Sequence, residues 1–248
     1  MYRDSFPKVL VCCPTASVKN YCFEDWIENV MKFKYPNFEV AIFDNTNDGG
    51  ENASFLKRVF KEKFGYLENN VIPFHCENSL LKNMVVSDGV MHDMCLSHND
   101  CRDYMIKGNF DYMLHLESDV FPNSLVIENL MAHKKMVTSG LYYTDEGVFR
   151  KPMIQESFDS GFGVVLSRNF KAGEDFMIME NGLLKVPASG LGCSLIHRSV
   201  FKEIKFTFDK NYDKFPDSFF AESCARVGID IYLDTACLAS HVNEIWIN

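Results

Sequence analysis

The chain has 248 residues, 47% apolar and 14% aromatic, enough for one large α/β domain or two small ones and too apolar for a disordered chain. Its net charge of −9 argues against a broad nucleic-acid surface. The nine cysteines, odd in number and set in apolar contexts such as Val11-Cys-Cys-Pro14, argue against a disulfide framework and for reduced thiols. Met1 to Pro7 holds no apolar signal core, and no run approaches membrane-spanning length. The expectation is a soluble, cytoplasmic protein without a transmembrane segment.

Lys8 to Pro14 is a continuous apolar run stopped by proline, as for a fully buried strand. A helical pattern follows from about Tyr21 to Lys34, with Phe23, Trp26, Ile27, Val30 and Phe33 at three- and four-residue spacings. Phe38 to Asp44 reads as the next strand, cut by the turn-rich Asn45-Thr-Asn-Asp-Gly-Gly50. A helix from Ala53 to Phe64, a short strand near Val71 to Phe74 and a long helix between Ser87 and Lys107 come next. In the second half, Met136 to Tyr143 reads as a strand. Thr144 to Lys185 suggests loops and short strands lining a cleft. Val186 to Gly192 is a turn-rich approach to a helix from His197 or Ser199 to Lys205. Strands alternating with helices of this length predict right-handed βαβ units and a mostly parallel sheet. No linker or repeat interrupts them, so residues 1–248 read as one domain with halves 1–122 and 123–248.

The strongest signal is Asp111-Tyr-Met-Leu-His-Leu-Glu-Ser-Asp119-Val-Phe-Pro122. Buried-type residues run up to two acids held one residue apart, at the carboxyl end of a strand, where open α/β sheets bind ligands. On an extended chain Glu117 and Asp119 point the same way and can share one cation. Hard oxygen ligands suit Mg²⁺ or Mn²⁺, which keep positions open for substrate phosphates. A solvated acidic turn is the alternative.

Phe215-Pro-Asp217 opens a further helical pattern that Gly228 stops, with proline and an acid in the favoured first turn. A cap alone accounts for Asp217. Ile229 to Asp234 reads as a strand, followed by a short apolar segment and His241, an imidazole compatible with Mn²⁺. His92, Cys95, His98 and Cys101 imitate a ligand series, but every third residue on a helix turns by about 60° and rises about 4.5 Å, so four cannot converge on one zinc. Phosphate loops of the GxGxxG and GxxxxGK[ST] kinds are absent.

Taken in order, these pieces resemble a GT-A-fold glycosyltransferase of the family-2-like kind, the nucleotide-sugar-dependent enzymes with a DxD-type metal motif. Val9 to Pro14 resembles their first nucleotide-binding strand, and Val40 to Asn45 the second. Glu117-Ser-Asp119 resembles the DxD motif in an ExD form, and Pro216-Asp217 the Glu-Asp motif with proline at its first place. The span Asp217 to His241 resembles the family's tail. Pro187-Ala-Ser-Gly-Leu-Gly-Cys193 resembles its small-residue loop.

The resemblance implies an α/β, Rossmann-like GT-A fold and a metal-dependent, inverting transfer from a UDP-sugar to a hydroxyl acceptor. Asp217 is then the general base, and Asp119, His241 and Glu117 hold Mn²⁺ or Mg²⁺. Pro14, Thr15, Asp44, Asn45 and Ser118 line the nucleotide, and Arg102 approaches the diphosphate, with a surface salt-bridge residue as its ordinary reading. Gly190, Leu191, Gly192 and Tyr142 face donor sugar and acceptor, and Tyr142, Tyr143 and Phe162 are candidates for stacking. The acceptor is left open between a glycan, a protein, a small molecule and a modified DNA base. Lys57, Arg58, Lys61 and Lys63 form a small basic face on a predicted helix, with a solvated surface as its ordinary reading. The competing readings are a non-catalytic nucleotide- or glycan-binding protein and a nucleotidyltransferase on a related fold. The latter expects a glycine-rich stretch with a basic residue after the first strand, which Pro14-Thr-Ala-Ser-Val-Lys19 matches poorly.

Overall fold

The computed structural model describes residues 6–65, 71–73, 86–146, 149–159, 165–169, 182–209, 211 and 215–242. Strand β1 (Val9–Thr15) pairs in parallel with β2 (Phe38–Asp44) on one side and β4 (Tyr112–Leu116) on the other, and β2 pairs in parallel with β3 (Val71–Pro73). Helices α1 (Phe23–Val30), α2 (Glu51–Phe64) and α3 (Val86–Lys107) lie between them in the chain. The resulting order β3–β2–β1–β4 reverses direction between β1 and β4. Such a reversal opens a crevice at the carboxyl ends of the two strands.

Both faces of this sheet are covered, which is why its strands read as unbroken apolar runs. Val9, Val11 and Cys13 face the layer of Trp26, Ile27 and Phe60, while Leu10 and Cys12 face Met105 and Phe110 on the other side. The period-2 alternation of a strand splits one run between two cores. Burying a side chain of the size of Trp26 or Phe60 completely is worth about 1.5–3 kcal/mol, and both are fully buried.

The second half extends the same sheet. β13 (Cys193–His197) runs antiparallel between β4 and β6 (Val137–Leu141); β14 (Ile231–His241) lies parallel to β6 and antiparallel to β11 (Leu183–Val186). The far end of β14 leaves that register and pairs antiparallel with β5 (Val120–Pro122), completing a nine-stranded sheet among the described residues. Beside it lie a hairpin, β7 (Tyr143–Glu146) with β8 (Phe149–Pro152), and a small sheet of β9 (Ile154–Asp159), β10 (Val165–Asn169) and β12 (Ala188–Ser189). Helices α4 (Val126–Ala132), α5 (Val200–Glu203) and α6 (Pro216–Arg226) complete the layers. No helix among the described residues is long and apolar enough to cross a membrane.

Three expectations are corrected. The helix expected from Tyr21 to Lys34 divides into a 3₁₀ turn (Ser17–Cys22) and the shorter α1, because the chain turns at Met31–Lys32 and Lys34 donates its N–H to Ser124 O at 3.0 Å. Cys193 to His197 is a buried inner strand, in a stretch where no element was expected between the turn-rich Val186 to Gly192 and the helix from His197 or Ser199. The strand and separate apolar segment expected between Ile229 and His241 are one strand with a register shift between Asp234 and Leu238.

Candidate active site

Where the carboxyl ends of β1 and β4 meet, a buried hydroxyl pair, Thr15 Oγ1 and Ser118 Oγ, lies 3.0 Å apart. Past Leu116 the chain is not extended: Val120 N–H donates to Glu117 O at 3.1 Å and closes a turn over Ser118 and Asp119. Glu117 and Asp119 therefore do not project side by side from a strand, and the same-face argument for a shared cation fails at this turn. Glu117 N–H donates to Gly192 O at 3.0 Å, which fixes the turn to the end of β13. Asp119 is fully buried.

His241 reaches Asp119 through sheet pairing. β14 sets His241 opposite Val120 of β5, and Val242 N–H donates to Asp119 O at 2.9 Å. The imidazole Nδ1 lies 2.9 Å from Tyr143 O and Nε2 lies 3.3 Å from Asp119 Oδ2. A carbonyl can only accept, so Nδ1 carries a proton and Nε2 is the nitrogen presented to the site. On the same Oδ2 sits the Lys19 ammonium, from the 3₁₀ turn after β1. Burial pushes the Asp119 carboxyl up, but the His241 hydrogen bond and the Lys19 charge outweigh it and hold the pKa below the usual range. Burial would lower both cations; Asp119 reverses this and raises Lys19 and His241. Asp119 Oδ1 is buried with no hydrogen-bond partner.

Glu117 keeps some contact with solvent, yet burial first and the Asp119 charge second push its carboxyl up to about 7. Asp217 stands in the first turn of α6, next to Pro216, with Ser218 N–H donating to its Oδ1 at 2.7 Å. Burial overcomes that stabilisation and raises its pKa. Its charge acts on both Glu117 and Tyr142, so Asp217 lies within electrostatic reach of the Glu-Ser-Asp turn without contacting it through any hydrogen bond among the described residues.

Tyr142, Gly190, Leu191 and Gly192 form the wall behind this cluster. Tyr142 is 3% exposed, its hydroxyl accepts from Gly192 N–H at 2.9 Å, and its ring meets His241 edge-on at 5.5 Å. A Cβ on Gly192 would lie 2.7 Å from Tyr142 Cζ and Oη, and one on Gly190 would collide with the same hydroxyl. The glycines let backbone approach the ring. Tyr142 is thus packed behind His241 and is not open for stacking on a sugar. Leu191 is buried as well and its carbonyl accepts from His115 Nδ1–H at 2.9 Å. Tyr143 contributes its carbonyl to His241; Phe162 lies outside the described residues.

On the β2 side of the crevice, Asp44 is buried. Its Oδ1 accepts from Thr46 N–H at 3.1 Å, Thr46 Oγ1–H at 2.6 Å and Asn52 Nδ2–H at 2.8 Å. Asn45 N–H donates to Thr15 O at 3.0 Å, and Pro14 is half-buried on β1 beside them. Arg102 is not part of the site. Its Nε–H and Nη2–H donate to Ile204 O and Phe201 O at 3.0 and 2.7 Å, tying α3 to α5. α5 follows His197, which pairs with Tyr112 at the opposite end of β4 from Glu117. The basic residues of α2 are a helix surface: Lys57, Arg58 and Lys61 are exposed, and Lys63 pairs with Glu28 at 2.5 Å. Sequence reasoning missed Lys19. The signal available was a lysine in the loop after β1, at the ligand-binding edge of a parallel sheet.

Among the described residues no three His, Cys, Asp or Glu side chains converge on a point that could hold a metal ion. The orphaned Asp119 Oδ1 and the orientation of His241 nevertheless fit one oxygen and one nitrogen ligand for Mn²⁺ or Mg²⁺, a small protein share that suits ions completed by phosphates and water.

No family model and no curated protein matches the chain. The fold is similar to that of GalNAc-T7, a GT-A glycosyltransferase solved with UDP, GalNAc and Mn²⁺. The TM-score is 0.58 at 12% identity, over 98% of this chain and 45% of that one. A197 from STIV superposes with a TM-score of 0.48 at 13% identity, over 96% of this chain and 86% of that one. The chain spans less than half the length of GalNAc-T7, and at these identities the likeness establishes the GT-A-like fold alone.

Proposed function

We propose that the chain is a metal-dependent, inverting glycosyltransferase that moves a sugar from a UDP-sugar to a hydroxyl acceptor. What carries the reading is the meeting of Asp119, His241, Glu117 and Asp217 at the carboxyl edge of a GT-A-like sheet, beside the strand-order reversal. The structure of GalNAc-T7 with UDP, GalNAc and Mn²⁺ on a similar fold is consistent with it. In this reading residues 1–122 hold the nucleotide and 123–248 the acceptor and the catalytic base.

Pro14, Thr15, Asp44 and Asn45 form the nucleoside end of the crevice. The diphosphate then reaches the Glu117–Asp119 turn, where Asp119 and His241 would hold Mn²⁺ or Mg²⁺. The ion, when bound, supplies Lewis-acid neutralisation of the charge that builds on the departing diphosphate. Asp217 faces the reacting centre from the acceptor side and takes the proton of the attacking hydroxyl. A carboxylate in water is a weak base at neutral pH; burial raises the Asp217 pKa and improves the match. The acceptor is a hydroxyl on a glycan, a protein, a small molecule or a modified DNA base.

The test is Asp217→Asn. UDP-sugar binding should stay within about threefold of wild type, while transfer falls by about 10²–10⁴ as for loss of a general base. Undiminished transfer would remove Asp217 from that role.

A further inference from the structure

Lys19 occupies the one carboxylate on which the proposed metal site depends. Its ammonium rests on Asp119 Oδ2, the same oxygen that His241 Nε2 faces. A pair built for stability alone would satisfy both carboxylate oxygens; here Oδ1 is buried and open. The backbone around Lys19 is held on both sides. Lys19 N–H donates to Ala16 O at 2.8 Å, Asn20 Nδ2–H to Asn52 Oδ1 at 2.7 Å, and Tyr21 Oη–H to Val242 O at 2.9 Å. The lysine side chain keeps 24% of its surface in solvent, so a long flexible stem with an ammonium head can swing without moving the turn.

We propose that Lys19 is a resident counter-cation that must leave Asp119 when a divalent cation enters, and that its new partner is the diphosphate of the nucleotide. A divalent ion on Asp119 Oδ1 and an ammonium on Oδ2 would be held on the two oxygens of one carboxylate and repel each other strongly. An incoming diphosphate removes that conflict by offering anionic oxygens to both cations in the crevice next to the Ser17–Cys22 turn. Metal and nucleotide then bind cooperatively, and each is weak alone. By linkage, the nucleotide raises metal affinity by the same factor as the metal raises nucleotide affinity. The inference rests on the metal-site part of the reading above, and its test reads metal binding directly, without any transfer reaction.

Mn²⁺ binding is measured by electron paramagnetic resonance and calorimetry on the full chain, with and without UDP. In the wild type UDP should tighten Mn²⁺ by about tenfold or more. In Lys19→Met, Mn²⁺ without UDP should bind about tenfold more tightly than in the wild type, and the UDP effect should shrink to less than about threefold. Lys19→Gln, which keeps a hydrogen-bond donor for Asp119 without the charge, should behave like Lys19→Met, and Lys19→Arg like the wild type. Thermal melts confirm that each variant is folded. Unchanged Mn²⁺ affinity in both neutral variants overturns the role of Lys19 and leaves the metal site standing. No Mn²⁺ binding in any variant, with or without UDP, overturns both.

Discussion

Two side chains one residue apart, His115 on β4 and Glu117 just beyond it, have their pKa values pushed in opposite directions. His115 is fully buried; burial pushes its pKa down to about 4, and His98, 4.7 Å away between ring centroids, is pushed down as well. Glu117 is pushed up to about 7. For His115 the unfolded chain binds the proton first, so its share of stability is complete above the unfolded pKa and is lost as pH falls from about 6.5 to about 4, a loss of about 3 kcal/mol. For Glu117 the folded state binds the proton first, and stability falls as pH rises through the same range. The two oppose each other in the wild type, so pH stability must be compared between proteins. His115→Gln cannot titrate, and urea unfolding at pH 7 and 4.5 should show it losing less stability on acidification than wild type does. An equal or larger loss would contradict the assignment. At this scale Asp119, Asp217 and His241 were singled out as candidates by the order of motifs in the resemblance, Asp119 after a strand and Asp217 at the start of a helix. Lys19 was not singled out, because its partner lies 100 residues away and its place in the loop after β1 is the one local sign of it.

Among the elements, the loop from Gly190 to Gly192 carries the tightest packing near the site. Gly192→Ala would drive a methyl to within 2.7 Å of the Tyr142 ring, which itself meets the His241 ring edge-on. Overpacking of this kind costs about 1–3 kcal/mol. Tyr142→Phe removes the hydroxyl that both glycines approach. The two substitutions should therefore be non-additive by about 0.5 kcal/mol or more in urea unfolding; strict additivity would mean that the contact does not matter. The parallel strands β1, β2 and β4 were legible because burial on both faces makes them unbroken apolar runs. β13 was hidden by its five-residue length and by the glycines before it. β14 was misread because two of its three exposed positions, Ala236 and Leu238, are apolar and Ser240 alone is polar, so the alternation of buried and exposed residues leaves little polar trace.

Across the whole molecule, the order β3–β2–β1–β4 with an antiparallel β13 beside β4 determines where chemistry can occur. It places the Glu-Ser-Asp turn at the crevice, brings Asp217 across from α6, and uses the β14–β5 pairing to return His241 from the far end of the sequence. The α/β class and the first four strands follow from hydrophobic runs and turn residues. The assembly of the cluster does not, because it depends on pairings between segments more than a hundred residues apart, such as His241 with Val120. The same geometry sends Arg102 to the wrong end of the sheet, a placement invisible to spacing along the chain.

The most direct test of the central claim is UDP release from a panel of UDP-sugars, with Mn²⁺ and with EDTA, by wild type and by Asp119→Ala. The account predicts slow hydrolysis of one donor that requires Mn²⁺, stops in EDTA, and falls by about 10² or more in Asp119→Ala through loss of metal-borne charge stabilisation. Release that is unaffected by EDTA and by Asp119→Ala, or no release together with no binding of UDP and Mn²⁺ by calorimetry, would contradict it.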